Sequence, residues 1–323
     1  MTNIIENQID LAIEKILNSK NIFIASHVQP DGDNIGSILA LAIALRSINE
    51  KVYILKTDDI PLDYLFLPYV NTIEEFNDKD EVDLFIALDA SDENRLGKNA
   101  SLINKAKTTI NIDHHISNNN FGDINIVDSI ASATGELVYR IIKKMNILID
   151  KDIATCLYTA ISSDTGSFMY DNTTSETHVI ISELIKVGID KSSININLYQ
   201  NRSIERTMLF IKAVETLKLY FDNKVAIVKV TQNMLKDAGT QMNDTEGIVS
   251  FMREIAPVEI AILLKEFNSE EIKISMRSKR FVDVAEICAS FGGGGHIRAA
   301  GATINSSIDN AEELILNEIK KVI

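Results

Sequence analysis

The chain has 323 residues, which is enough for about two domains with a hydrophobic core each. Hydrophobic residues make up 46% of the sequence and charged residues 24%, a balance that excludes a largely disordered chain. The formal net charge of −14, without any run of lysines or arginines, argues against long duplex nucleic acid or an anionic membrane surface as a partner.

The N-terminal stretch "MTNIIENQIDLAIEKILNSK" lacks the basic region and apolar block of a signal peptide, and no apolar run approaches the roughly 20 residues of a membrane span. We therefore expect a cytoplasmic protein without a membrane partner. Cys156 and Cys288 lie far apart in apolar segments, which predicts buried thiols rather than a disulfide or a thiolate metal site.

Apolar strand-like runs alternate with helical patterns in the first part of the chain, which is typical of a parallel sheet. The predicted strands are Ile22–Ser26, Lys51–Leu55, Val82–Leu88 and Thr108–Ile112. The predicted helices are Asn34–Ile48, Thr134–Met145, Lys151–Ser163 and Ser175–Val187. The fold class is thus predicted to be α/β, and residues 1–190 form an N-terminal domain with a mostly parallel sheet flanked by helices.

The apolar pattern breaks at Asp190–Arg202, where we place the domain boundary. Residues 191–215 are predicted to be a linker and a connecting helix, and residues 216–323 a smaller α/β domain with a mixed sheet. Its predicted elements are a hairpin that turns at Asp222–Asn223, a helix over Thr245–Ile255, strands over Val258–Glu266 and Glu271–Arg277, and a glycine-rich loop.

Polar clusters follow three of the predicted parallel strands. They are His27, Asp31 and Asp33 after the first strand, Asp89 after the third, and Asp113, His114 and His115 after the fourth. Ligand sites of parallel sheets form at the carboxyl ends of the strands, so the clusters are expected to share one edge of the sheet. Asp164 ends a predicted helix near that edge.

Carboxylates and imidazoles without thiolates favour a divalent ion such as Mn²⁺. Four crowded aspartates would repel one another unless cations neutralised them, and two dications would do so. A pair of metal ions also lowers the pKa of water and stabilises in-line phosphoryl displacement. Taken singly, "QPDGDN" and "DHH" are equally typical of ordinary turns. Their joint occurrence favours a metal centre.

The motifs "HVQPDGD", "LDASD", "DHH" and "SSDTG" occur in an order that resembles the DHH phosphoesterase superfamily. The later "GGGGH" is similar to the signature of the DHH-associated C-terminal domain. Among the branches of the superfamily, the length and the glycine signature most resemble the stand-alone nanoRNases. The resemblance implies an enzyme, a Mn²⁺-dependent hydrolase acting on short oligoribonucleotides and on 3′-phosphoadenosine 5′-phosphate (pAp).

The resemblance also implies the roles of single residues in a site with two Mn²⁺ ions, for which Mg²⁺ or Co²⁺ are candidate substitutes. The first ion is assigned to His27, Asp31 and Asp89, and the second to Asp33, Asp89, His114 and Asp164. Asp89 would bridge the ions. His115 would face the scissile phosphate, and Asp113 would orient the neighbouring imidazoles.

The substrate's far end is expected to bind to the C-terminal domain. The residues predicted to bind it, which we call the substrate grip, are Gly293, Gly294, Gly295, His296 and Arg277. Arg95 is expected to contribute from the first domain, and Arg298 is a further candidate. By itself the glycine run is equally typical of a flexible connection. A grip at one end and a metal centre at the other would favour substrates of two to five nucleotides.

Three other functions share parts of this pattern. An inorganic pyrophosphatase of the superfamily would have the metal ligands, but a lysine- and arginine-rich clamp is expected there in place of "GGGGH". A cyclic di-AMP phosphodiesterase would need a very similar grip. A non-catalytic nucleotide sensor would be expected to lack a metal ligand or His115. The sequence leaves oligomeric state open, although an exposed edge or helix of the first domain would suit a homodimer.

Overall fold

The computed structural model describes residues 2–49, 51–77 and 81–323. Contacts within the chain divide it into two units, residues 1–201 and residues 202–323. Within the described residues, no helix combines the length and apolar character that a membrane span needs.

The first unit contains a six-stranded sheet in the order β3-β2-β1-β4-β5-β6, and all neighbouring strands are parallel. The strands are β1 Ile22–Ser26, β2 Val52–Leu55, β3 Ile73–Glu74, β4 Leu84–Leu88, β5 Thr108–Asp113 and β6 Ile124–Val127. The helices are α1 Thr2–Asn18, α2 Gly32–Arg46, α3 Leu102–Lys105, α4 Thr134–Lys144, α5 Lys151–Asp164, α6 Ser175–Lys186 and α7 Lys191–Tyr199. The predicted α/β fold with a parallel sheet is confirmed.

The central strands are apolar on both faces because core packs on both sides of the sheet. All five residues of β1 are buried, and so are all five of β4. Ile22 and Ile24 belong to one apolar cluster, whereas Phe23 and Ala25 belong to another on the opposite face. Continuous apolar runs of this kind are what a doubly covered parallel sheet requires.

Two features of this unit bring the predicted ligands together. The strand order reverses between the neighbours β1 and β4, whose last residues, Ser26 and Leu88, are paired in register. The residues that follow these two strands therefore emerge side by side. In addition, α2 contacts α5 so closely that a Cβ at Gly36 would lie 2.5 Å from the carbonyl oxygen of Cys156.

The second unit contains a mixed sheet in the order β11-β12-β10-β9-β8-β7, in which β8 and β9 are parallel and the other pairs antiparallel. The strands are β7 Lys218–Tyr220, β8 Val225–Val230, β9 Ile260–Asn268, β10 Glu271–Ser278, β11 Gly294–His296 and β12 Ala299–Ile304. The helices are α8 Ile204–Glu215, α9 Gln232–Ala238, α10 Ile248–Glu254, α11 Val284–Ala289 and α12 Ile308–Ile319. The mixed sheet confirms the prediction for this part of the chain.

Some predicted elements differ from the structure. The expected break at Asp190–Arg202 contains the helix α7, in which the Asp190 side chain caps the backbone N–H of Ser193 and Ile194 is buried in the first unit's core. The helix predicted from Thr245 begins at Ile248, because Gly247 has a φ of +85° that interrupts the helical backbone. The assignment of residues 191–215 as a linker stays a prediction.

The glycine-rich segment is not a loop throughout. Gly294–His296 form the edge strand β11, which pairs with β12. The missing side chain at Gly293 permits the close approach, since a Cβ there would lie 2.2 Å from the carbonyl oxygen of Gly301. Cys156 and Cys288 are both free and buried, as predicted.

Candidate metal centre

The imidazole of His27, which follows β1, faces two carboxylates. Its Nδ1 donates to the Val28 carbonyl at 2.7 Å, so the hydrogen bond directs Nε2 away from the backbone. Nε2 lies 3.3 Å from Oδ2 of Asp89 and 3.8 Å from Oδ2 of Asp31. Burial opposes a charge on His27, but Asp89 and Asp31 outweigh it and raise the pKa of the imidazole. A positive charge at this point is therefore favoured, and a bound cation would supply it in place of the proton.

His114, which follows β5, is oriented in the same way. Its Nδ1 lies 3.3 Å from the Ala131 carbonyl, which can only accept a hydrogen bond. Its Nε2 is 3.5 Å from Oδ2 of Asp164, 3.8 Å from Oδ2 of Asp33 and 3.8 Å from Oδ1 of Asp89. The second imidazole thus presents a nitrogen to three carboxylates that come from three different elements.

Asp89 joins the two groups, because its Oδ2 faces His27 and its Oδ1 faces His114. The residue is 2% exposed and has a φ of +56°, a left-handed backbone that non-glycine residues adopt only in a small minority of cases. Strain of this kind persists where the surroundings hold a functional side chain in place. Burial opposes ionisation of Asp89, but His27, His114 and His115 outweigh it and lower the pKa of the carboxyl.

Asp33 is held by the N-terminus of α4. Its carboxylate accepts from the backbone N–H groups of Thr134 at 2.6 Å and Gly135 at 2.9 Å, and from the Ser37 hydroxyl at 2.9 Å. The Thr134 hydroxyl also donates to Asp89 at 2.9 Å. Sequence reasoning missed Thr134 and Gly135. The available signal was the small-residue stretch "SATGE" at the start of a predicted helix.

Three carboxylates of the cluster, Asp31, Asp33 and Asp164, resist ionisation. Burial and the charges of neighbouring aspartates raise the pKa of Asp33 well above its usual value. Burial, with Asp89 and Asp31 adding to it and His114 opposing it, raises the pKa of Asp164 to about 6. A cation relieves this crowding, since its attraction for the carboxylates offsets their mutual repulsion.

His115 has a different environment from His114. Its Nδ1 lies 2.7 Å from Oδ1 of Asp113, and Asp113 in turn accepts from the Asn118 amide at 2.6 Å and from the backbone N–H of His114 at 2.9 Å. Burial disfavours the charged imidazole, but Asp113, Asp89 and Asp164 outweigh it and raise the pKa of His115 to about 9. Asn118 was not predicted, because "ISNNN" reads as an ordinary polar loop.

The donor set fits divalent metal ions. Three groups of side chains each place one donor atom per residue within 4.8 Å of one another: His27, Asp31 and Asp89; Asp33, His114 and Asp164; and Asp89, His114 and His115. A cation with bonds of about 2.0–2.2 Å holds neighbouring ligands roughly 3–3.5 Å apart, close to the spacings observed here. Asp31 is 57% exposed whereas Asp89 is buried, so the cluster opens to solvent at Asp31.

The residues predicted for the substrate grip lie mostly in the second unit. Gly293 precedes β11, which contains Gly294, Gly295 and His296, and Arg277 lies near the end of β10. The Arg298 guanidinium donates to the carbonyls of Val282 and Arg280, an arrangement that stabilises the 280–282 loop. In the first unit, the Arg95 carbonyl accepts from the backbone N–H of Val28, next to His27. Substrate contacts of these residues stay predictions.

Comparison with known proteins identifies the class. Residues 21–161 match the N-terminal domain of the DHH family, and residues 222–323 match the DHHA1 domain. These two domains, together with the histidine–aspartate centre at the edge of a parallel sheet, define a metal-dependent hydrolase that acts on phosphoester bonds. The chain belongs to the DHH family.

Similar proteins extend over nearly the whole chain. A bifunctional oligoribonuclease and PAP phosphatase from Thermus thermophilus is 32% identical over 93% of this chain and 89% of its own length. The Bacillus subtilis protein of that description is 26% identical over 91% of this chain and 92% of its own. The crystal structure of an exopolyphosphatase-related protein from Bacteroides fragilis superposes with a TM-score of 0.92, at 30% identity, and covers 98% of this chain and 96% of that one.

Proposed function

We propose that this protein is a Mn²⁺-dependent phosphoesterase that hydrolyses oligoribonucleotides of about two to five nucleotides to mononucleotides and dephosphorylates pAp. The observation that carries the proposal is the position of Asp89, whose two oxygens face the imidazoles of two separate donor groups. The Thermus and Bacillus relatives are described as oligoribonucleases and PAP phosphatases, which supports short RNA and pAp as the proposed substrates.

In this proposal His27, Asp31 and Asp89 hold one ion, and Asp33, Asp89, His114 and Asp164 hold the other. Bound ions of this kind supply Lewis acidity, which makes water more nucleophilic and offsets charge on the phosphate. Imidazole and carboxylate ligands without sulfur support Mn²⁺, and with it Mg²⁺ or Co²⁺, over a thiolate-bound metal.

The chain's own residues carry out the rest of the mechanism. Asp113 favours the charged form of His115, which would donate from Nε2 to a non-bridging oxygen of the scissile phosphate. Asp113 is a positioning residue, because its bond to Nδ1 fixes the tautomer and orientation of that imidazole. Thr134 keeps Asp89 aligned through its hydroxyl, so the ligand oxygens need little reorganisation.

The predicted grip completes the proposal. Arg277, His296 and the backbone of Gly293–Gly295 would bind the far phosphate and base, with Arg95 and Arg298 as further candidates. Glycines let a phosphate approach the backbone N–H groups, and the arginine fork binds phosphate oxygens in pairs.

The test is a substrate panel for the purified protein in Mn²⁺. End-labelled RNAs from dimer to heptamer are digested beside pAp, cyclic di-AMP and pyrophosphate. The proposal expects rapid conversion of dimers to pentamers and of pAp, with slower cleavage of longer chains. Exclusive turnover of cyclic di-AMP or of pyrophosphate would replace it with one of the other enzymes of the superfamily, and binding without turnover would indicate a sensor.

A further inference from the structure

Residues 131–136, at the end of the loop after β6 and in the first turn of α4, contact three of the four ligands assigned to the second ion. The carbonyl of Ala131 faces Nδ1 of His114. Two backbone N–H groups of the same segment hold the Asp33 carboxylate, and a threonine hydroxyl donates to Asp89. The position of this segment therefore sets the spacing of ligands that come from three different elements.

The fourth ligand, Asp164, is tied to this segment by the side chain of Asn172. The Asn172 amide donates to the carbonyl oxygen of Ser132 at 3.0 Å and to the carbonyl oxygen of Asp164 at 3.1 Å. Both partners can only accept, so the amide nitrogen has to face them. Asn172 is exposed, so its amide contributes these bonds without filling the core. It links the loop before α4 to the last residue of α5.

On its buried side, the segment is anchored by Glu136, which is 1% exposed. Oε1 of Glu136 accepts from the Ser132 hydroxyl at 2.6 Å and from the Thr177 hydroxyl at 2.6 Å. Thr177 belongs to the first turn of α6, where its hydroxyl oxygen also accepts from the backbone N–H of Thr174 at 3.0 Å. One carboxylate oxygen thus joins the loop, α4 and α6.

Packing alone does not account for a carboxylate at this position. Among the described residues, no lysine, arginine or histidine forms an ion pair with Glu136. A buried carboxyl group without a basic partner is costly, and an apolar side chain would fill the same volume without this cost. What Glu136 adds is the pair of hydrogen bonds, which fix residues 131–136 against α6.

The ligands of the first ion are held differently. Nδ1 of His27 donates to the carbonyl of the neighbouring Val28, and the Asp31 carboxylate accepts from the backbone N–H of Asn34. In the part of the chain that the structure describes, neither side chain forms a hydrogen bond with residues 131–136. A displacement of that segment should therefore disturb the second ion more than the first.

We propose that Glu136 and Asn172 are positioning residues for the second ion. Glu136 holds residues 131–136 from the buried side, and Asn172 holds them to the backbone of Asp164, so that the four ligands keep the spacing that one cation needs. The hydrogen bonds of both side chains end on this segment, on Thr177 or on the Asp164 backbone rather than on a metal-facing atom, so both act through the groups they hold. The inference deepens the proposed function and rests on its two-ion site.

The test measures Mn²⁺ affinity of the full-length protein by electron paramagnetic resonance, in which free Mn²⁺ gives a strong signal that is lost on binding. Two single-ion backgrounds separate the sites, because His27→Asn removes a ligand of the first ion and His114→Asn a ligand of the second. Asn172→Ala, Glu136→Leu and Glu136→Gln are each introduced into wild type and into both backgrounds.

Each substitution has its own comparison. Asn18→Ala is the matched control for Asn172, because the Asn18 amide is also exposed and donates to a backbone carbonyl, that of Glu14 in α1. Glu136→Gln is the conservative variant, because the glutamine oxygen can accept both hydroxyl bonds whereas leucine can accept neither. Circular dichroism confirms folding, and if Glu136→Leu does not fold, Asn172→Ala and its control decide the test.

In the His27→Asn background, which keeps the ligands of the second ion, Asn172→Ala and Glu136→Leu are expected to weaken Mn²⁺ binding about tenfold or more. In the His114→Asn background the same substitutions should change the affinity by less than about twofold, and Glu136→Gln and Asn18→Ala should stay within about twofold in both. Equal weakening in the two backgrounds would indicate a general loosening of the fold and overturn the inference, as would unchanged affinity in both. Glu136→Gln as weak as Glu136→Leu would overturn the role given to the hydrogen bonds of Glu136.

Failure of this inference is distinguishable from failure of the proposed function. If wild type binds two Mn²⁺ and Asn172→Ala binds both as tightly, only the positioning role is wrong. If wild type binds fewer than two Mn²⁺, the two-ion site of the proposed function is wrong whatever the variants show.

Discussion

His27 Nε2 lies 3.3 Å from Oδ2 of Asp89, although the two residues belong to segments that follow different strands. The contact exists because β1 and β4 are parallel neighbours that end in register at the reversal of strand order. Backbone pairing thus brings an imidazole and a carboxylate together, and the other oxygen of Asp89 extends the contact to His114. This position supports the proposed bridging role of Asp89.

Substitutions of the adjacent residues His114 and His115 should affect metal binding and catalysis separately. His114→Asn is expected to lose metal, because Nε2 of His114 faces Asp33, Asp89 and Asp164. His115→Asn should keep the metal content of wild type. Its activity should fall about a hundredfold or more, because the substitution removes only the imidazole that would stabilise charge on the phosphate. Metal analysis and initial rates for each variant measure both effects. Equal metal loss in the two variants would contradict the division of roles.

Asp113→Asn should shift the alkaline limb of the profile of kcat/KM against pH to lower pH. Because its pKa is raised, His115 holds its charge to higher pH than a free histidine and loses it as pH rises through the folded pKa. Bound cations would neutralise Asp89 and Asp164, so Asp113 is the charge that continues to support the imidazolium. Removing this charge lowers the pKa, and the rate of Asp113→Asn should therefore fall at lower pH than the rate of wild type. An unchanged profile in kcat/KM would rule out the positioning role.

Glu312 should be a stability determinant of the second unit. Its carboxylate is 2.5 Å from Lys229 Nζ and 3.2 Å from Lys218 Nζ, and it accepts from the Tyr220 hydroxyl. We expect Glu312→Ala to lower the free energy of unfolding by about 2–4 kcal/mol, because it leaves the half-buried Lys229 with only the exposed Asp309 as an ion-pair partner. Glu313→Ala is the control, because Glu313 is exposed, and its free energy of unfolding should stay within about 0.5 kcal/mol of wild type. Urea denaturation measures both, and equal values would refute the prediction.

The Glu312 carboxyl also predicts how the free energy of unfolding depends on pH. Burial alone would raise the pKa of Glu312, but its bonds to Lys229, Tyr220 and Lys218 outweigh burial and lower it. The unfolded chain then binds the proton more tightly, so this stabilisation is complete above about pH 4.5 and is lost as pH falls through the folded pKa. Denaturation between pH 3 and 6 should show a smaller decrease in Glu312→Ala than in wild type.

Alanine substitutions at the neighbouring residues Gly293 and Gly294 should differ in their effect on stability. A Cβ at Gly293 would lie 2.2 Å from the carbonyl oxygen of Gly301, whereas a Cβ at Gly294 would meet no atom within 4 Å. Gly293→Ala is therefore expected to cost about 1–3 kcal/mol of stability, and Gly294→Ala close to none. Thermal unfolding followed by circular dichroism compares the pair. Similar melting temperatures would show that β11 does not approach β12 in this way.

The sequence predicted the elements that carry the metal centre. The apolar runs that became β1, β4 and β5 end at polar clusters, and the rule for carboxyl ends of parallel strands then placed His27, Asp89 and His114 at one edge. Such predictions succeed because a strand that is buried on both faces leaves a continuous apolar signal.

Other features depend on contacts that local patterns do not encode. Thr134 acts on Asp33 and Asp89 only because α4 begins beside them, after the edge strand β6, whose residues alternate between buried and half-buried and form no long apolar run. The glycines of β11 have no side chains to show a strand period, so their pairing is set by the approach of β12. Lys265 and Lys273 become neighbours through the register of β9 and β10.

The most direct test of the shared metal centre is the metal content of wild type and Asp89→Asn. Each protein is saturated with Mn²⁺, dialysed and analysed by inductively coupled plasma mass spectrometry, with circular dichroism to confirm folding. We predict two Mn²⁺ per wild-type chain, and at most one in Asp89→Asn, because the amide nitrogen cannot replace a carboxylate oxygen as a ligand. Two Mn²⁺ retained by the folded Asp89→Asn variant, or none bound by wild type, would contradict the account.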